Sequence, residues 1–164
     1  NSGLNLRLHT PNGLHVREID EICASELYKT GVRTIRLSLE GTDTWTVAQS
    51  SEKMEREMYQ RAIEALRKAG YSSSEMETYI LLGIPGQRVE AIEESIDFAK
   101  ECGGKVKLAQ YSPIPGTRLF EELTETMPSL RVEPLLQNNS IFPSYVGRFM
   151  SAKTLQYLKH CAYS

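Results

Sequence analysis

The chain has 164 residues and a formal net charge of −2, with 40% of residues hydrophobic and 24% charged. That is the balance of a folded domain large enough to enclose one core. It argues against a nucleic-acid surface spread over the whole molecule. No apolar run approaches the ~20 residues needed to cross a bilayer, and no signal peptide opens the chain, so a soluble protein is expected. Cys23, Cys102 and Cys161 are odd in number and far apart, unlike a secreted disulfide framework, a zinc site or an iron–sulfur motif. A reducing cytoplasm fits them, with Cys23 a small hydrophobe on a helix face.

A strand is expected over residues 4–9, followed by the turn cluster Thr10-Pro11-Asn12-Gly13. Helical spacing then places Ile19, Ile22, Cys23 and Leu27 on one face, with Gly31 as the stop. A second strand covers residues 32–39. After a polar loop, Met54, Met58, Ala62, Leu66 and Ala69 mark a longer helix ended by Gly70. A third strand over 77–82 runs into Gly83-Ile84-Pro85-Gly86, and Val89, Ile92, Ile96 and Ala99 repeat the helical period. A fourth strand over 106–111 ends in Ser112-Pro113-Ile114-Pro115-Gly116-Thr117. From about Glu121 the alternation is expected to give way to an irregular segment, with a short last helix over 153–161 turning Leu155 and Leu158 inward. Strands alternating with helices predict an α/β fold with a parallel sheet, and four strands are too few to close a barrel. His15 and His160 read as surface residues rather than ligands.

The residues that carry chemistry gather after the strands, where active sites of α/β folds lie. In Gly83-Ile84-Pro85-Gly86, glycine allows a ligand close to the backbone and proline fixes the turn; a plain strand-to-helix turn explains it as well. Along the second strand, Arg36, Ser38 and Glu40 share one face and Leu37 and Leu39 the other. Three polar groups facing one way need each other, water or a ligand. Arg36 can hold a carboxylate by paired hydrogen bonds and Glu40 can accept from hydroxyl or ammonium groups; a structural Arg–Glu pair within the sheet is the other reading. Tyr111-Ser112-Pro113 begins a rigid extended segment whose backbone can meet the edge of a purine.

The succession "HTPNGLH", "IRLSLEG", "YILLGIPGQ" and "YSPIPGT", in this order and at strand–helix spacings, resembles the later strands of radical S-adenosylmethionine (SAM) enzymes. The likeness runs over roughly residues 4–123. It is closest to the group often fused to a cobalamin-binding domain and touches the coproporphyrinogen-oxidase-like members. It implies a partial (β/α) barrel of the TIM-like radical SAM type, lacking its first strands, over 1–123, with a C-terminal extension over 124–164. It further implies SAM along the strand ends: Arg36, Ser38 and Glu40 toward ribose and methionine, Leu81 and Gly83 beside the adenine with Pro85 and Gly86 shaping that wall, and Tyr111, Ser112 and Pro113 at the adenine edge. His9 and Asn12 would face the substrate side.

The family's three-cysteine loop, which ligates a [4Fe–4S] cluster, is absent from this sequence, as is the glycine-rich acidic motif that grips the SAM amino group. Gly86 stands where an acidic residue often sits. The resemblance therefore implies an inactive fragment of a parent enzyme that cleaves SAM reductively to a 5′-deoxyadenosyl radical; whether that parent also binds cobalamin is left open. The chain is expected to enter in mid-domain, as a fragment would. The competing readings are a non-catalytic α/β barrel scaffold and a phosphate-binding α/β barrel enzyme. An incomplete barrel leaves its first strand with an open edge, so a dimer through that edge or through exposed apolar core is expected.

Overall fold

The computed structural model describes residues 7–10, 12–39, 49–138 and 150–164. Its framework is set by period-two alternation in β3 (Val32–Leu39) and β4 (Met76–Leu82). Ile35, Leu37 and Leu39 of β3 and Met76, Ile80 and Leu82 of β4 are buried on one face of the sheet, and the residues between them are mostly half-buried on the other. β5 (Lys105–Gln110) pairs with β4, and every pairing is parallel.

At the other edge of β3 lie two short pieces, β1 (Leu8–His9) and β2 (Leu14–His15). They are registered on β3 one after the other, Leu8 opposite Val32 and His15 opposite Ser38, so together they fill one strand position. The result is a curled parallel sheet with four strand positions, a half-barrel. The strand expected over residues 4–9 is seen at Leu8–His9, residues 4–6 lying outside the described ones, and it is continued beyond the turn cluster in a segment that read as turn and helix approach. The break is tied down locally. The Thr10 hydroxyl accepts from the Arg36 backbone N–H (3.2 Å) and donates to the Thr34 carbonyl (3.2 Å). A side chain at Gly13 would come within 3.2 Å of the Ser38 backbone nitrogen, so the chain returns to β3 where only glycine fits easily.

Helices α1 (Glu21–Lys29), α2 (Gln49–Ala69) and α3 (Val89–Glu101) connect the strands. Asp20 caps α1, accepting from the Cys23 N–H at 2.7 Å. The buried sheet face meets Tyr59, Ala62, Ile63 and Leu66 of α2 and Ile92, Ile96 and Ala99 of α3 in one hydrophobic cluster. In α1 the expected face is rotated: Ala24 is buried, Cys23 and Leu27 are half-buried and Ile22 is 76% exposed. Met54 of α2 is exposed as well. Ile19 is buried but precedes the helix, so its spacing to Ile22 is not a helical repeat.

After β5 one further helix follows directly, and no strand comes after it among the described residues. α4 (Arg118–Thr126) is capped by Thr117 and buries Phe120 and Leu123. A short α5 (Ser129–Val132) adds Leu130, and α6 (Ala152–Tyr163) packs on α3 and β5 with Leu158 fully buried and Leu155 half-buried. The sequence masked α4 because its apolar residues follow two prolines and a glycine and stand among three glutamates and two threonines. No helix among the described residues is long and apolar enough to cross a membrane.

Candidate functional site at the strand ends

Because the ladders are parallel, every strand delivers its C-terminal end to the same rim, and residues in register share a face. The face turned away from the helices carries Thr34, Arg36 and Ser38 of β3, Glu77, Tyr79 and Leu81 of β4, and Lys105, Lys107 and Ala109 of β5. Ser38 stands beside Tyr79, and Leu81 beside Ala109. Of the polar trio expected on β3, Arg36 and Ser38 lie on this face, half-buried; Glu40 lies outside the described residues.

Arg36 is not at the rim. It is registered with Glu77, near the start of β4 and four residues short of Leu81, roughly 13 Å along a strand. Its Nε donates to the Glu77 carboxylate at 3.1 Å and its Nη1 to the Thr10 carbonyl at 3.1 Å. The same carboxylate meets Lys107 Nζ at 3.5 Å. Glu77 side-chain exposure is 17% and that of Arg36 is 29%. A half-buried carboxylate is tolerated here because two cations flank it. Arg36 therefore joins the broken edge strand, β3 and β4, which is the structural pair weighed above with Glu77 as the partner.

The rim itself is made by the two turns. After β4, Gly83 (φ +86°) and Gly86 (φ +77°) both adopt the left-handed conformation that glycine takes without strain. The Gln87 side chain folds back into the turn: its Nε2 donates to the Leu81 carbonyl (2.9 Å) and its Oε1 accepts from the Gly83 N–H (3.0 Å). Two of the backbone groups at the end of β4 are thus satisfied by the chain itself. Gly83 is buried, Pro85 half-buried and Gly86 exposed.

After β5, the Tyr111 N–H donates to the Leu82 carbonyl at 2.8 Å, extending the ladder by one bond and holding this turn against the first. Pro113 is buried, and Tyr111 and Ser112 are half-buried. Burial pushes the Tyr111 phenol above its ordinary pKa. Thr117 closes the turn, its hydroxyl and its N–H both donating to the Ile114 carbonyl (2.8 and 3.2 Å).

Leu81, Gly83, Pro85, Gly86, Tyr111, Ser112 and Pro113 are therefore brought together on adjoining strand ends, with Ser38 one strand away. His9 and Asn12 lie at the opposite edge and are exposed; the His9 Nδ1 is 2.8 Å from the Thr34 hydroxyl. Sequence reasoning passed over Gln87, Glu77 and Lys107. Gln87 was visible as the residue closing "GIPGQ", four after Gly83, but its reach back into the turn is a property of the folded loop. The pairing of Glu77 with Arg36, 41 residues away, depends on strand register.

Among the described residues, no three His, Cys, Asp or Glu side chains come together as a metal site. Cys23, Cys102 and Cys161 stand in α1, at the end of α3 and in α6, so the described residues do not fit an iron–sulfur cluster. Comparison with family models and with curated proteins gives no match to this chain.

Proposed function

We propose that this chain forms the later strand–helix units of a TIM-like radical SAM barrel, and that its rim holds the adenosine part of SAM in a longer cytoplasmic parent enzyme. The observation that carries the proposal is the convergence of the resembling segments. "HTPNGLH", "IRLSLEG", "YILLGIPGQ" and "YSPIPGT" belong to consecutive positions of one parallel half-barrel and end at one rim. In the parent, an upstream cluster would supply the electron that cleaves SAM.

The chain's own residues have simpler tasks. Leu81 and Tyr79 offer apolar surface on the open face, and the Tyr111-Ser112-Pro113 segment offers backbone groups to the edge of a purine. Ser38 presents a hydroxyl at the height of Tyr79. Gln87 keeps the β4 turn in shape, and Arg36 with Glu77 keeps the strands beneath it in register. A scaffold reading draws on one observation, the full engagement of the Arg36 guanidinium and the Glu77 carboxylate with protein partners.

The test is a titration of the isotopically labelled chain with millimolar SAM, followed by amide NMR. Shifts concentrated at Leu81, Gly83, Gly86, Tyr111 and Ser112 are expected. Shifts confined to another face, or none at the highest concentration, would overturn the placement of the site.

A further inference from the structure

We propose that the surface built by α6 and the start of β5 docks a single-stranded nucleic acid, independently of the rim. The net charge of −2 averages over an uneven distribution. Of the 19 Lys and Arg side chains, five, the lysines at 100, 105, 107, 153 and 159, belong to this surface.

Two clefts meet there. One, of about 520 Å³, runs beside the first residues of β5 and is lined by Lys100, Lys105, Lys107 and Tyr163 among others. The second, of about 730 Å³, follows the outer face of α6 and is lined by Lys153, Gln156, Tyr157, Lys159, His160 and Tyr163. Tyr163 lines both, so the two adjoin at its ring.

No carboxylate side chain lines the second cleft. The one in the first, Glu77, is already shared by Arg36 and Lys107. Lys100 is partly engaged through the Cys161 carbonyl (2.7 Å), whereas Lys105, Lys107, Lys153 and Lys159 are exposed. The carboxylates of α3, Glu90, Glu93, Glu94, Asp97 and Glu101, belong to the neighbouring helix, which packs against α6.

Positive charge alone would suit any polyanion. The tyrosines select among them: Tyr157 and Tyr163 are 51% and 59% exposed on this same surface. The Tyr163 hydroxyl lies 3.5 Å from the Leu108 N–H, which ties its ring to β5. Exposed aromatic rings between lysines give successive bases a stacking surface while the lysines follow the phosphates. An acidic peptide would use the lysines and leave the rings unused.

The experiment is fluorescence anisotropy of a labelled oligouridylate of about twelve nucleotides, matched to a typical single-strand site size. It is titrated with the full chain at stepped salt concentrations. Each neutralised phosphate contributes roughly −0.7 to the slope of log affinity against log salt, so a slope steeper than about −2 is expected. K153E/K159E should weaken binding at least tenfold, and Y157A and Y163A about fivefold each, the loss of a modest stacking contact. K29E, on α1, should leave it unchanged. All five positions are exposed, and circular dichroism checks that each variant is folded. Absence of salt-dependent binding at low ionic strength would overturn the proposal. So would equal displacement by an oligoglutamate of matched charge, or loss of binding in K29E as large as in K153E/K159E.

Discussion

Tyr59 shows how much one side chain decides here. It is fully buried in α2, and its hydroxyl lies 2.6 Å from that of Thr78, a buried polar residue on the helix side of β4. Gly104 allows this, since a Cβ there would stand 2.8 Å from the Tyr59 hydroxyl and 2.9 Å from that of Thr78. Tyr59→Phe would leave the Thr78 hydroxyl buried without this partner, at a cost of about 1–3 kcal/mol in denaturant unfolding. Adding Thr78→Val should recover part of that loss, because removing both partners removes the unmet polar group. Burial also pushes the phenols of Tyr59 and Tyr71 up to about 12. The sign follows directly: the folded state keeps these protons when the unfolded chain, near 10, has released them. Their contribution is full below pH 10 and is lost as the pH rises from about 10 to 12. Unfolding measured across that window should show a steep loss of stability, shallower in Tyr59→Phe. None of this was legible in the sequence, where Tyr59 falls between Met58 and Ala62 with nothing to mark its partner.

At the scale of elements, the strands were the more legible part. β3 was expected over the residues it occupies, and β4 and β5 each within one residue of their observed bounds, because strict alternation and flanking glycines leave little freedom. The helix faces were less so. Ile22 fits an apolar repeat with Ile19 only if both are helical, and Asp20 starts the helix after Ile19. The broken edge strand was hidden because its second piece is two residues long and follows a turn cluster. At the rim, Gln87 is the element's fastener. Gln87→Ala would strand the Leu81 carbonyl and the Gly83 N–H in a part-buried turn, and we expect a loss of about 1–3 kcal/mol. A smaller urea midpoint with an unchanged slope is the outcome that identifies a local loss of hydrogen bonds rather than a change in compactness. An unchanged midpoint would mean that water replaces the glutamine without cost.

On the scale of the whole molecule, the half-barrel has two sheet edges. One is β5, where exposed Lys105 and Lys107 and the packing of α6 discourage pairing. The other is the interrupted strand of β1 and β2, whose brevity weakens it as a template. A dimer through that edge or through exposed apolar residues is the expectation drawn from an open barrel, and light scattering coupled to size exclusion should give twice the chain mass. A clean monomer would show that the broken strand suffices to protect the edge. The strand–helix rhythm and the position of the turns were readable from composition and spacing. The nature of the ligand was not, because it depends on how the turns after β4 and β5 meet at one rim, which strand register decides.

The most direct measurement is anaerobic iron–sulfur reconstitution and SAM cleavage on the longer parent enzyme that the proposal implies, with this chain as the control. A reducible cluster and release of 5′-deoxyadenosine by the parent, and by the parent only, are the predicted results. A parent that forms no cluster and leaves SAM intact would contradict the radical SAM reading and leave the half-barrel as a scaffold.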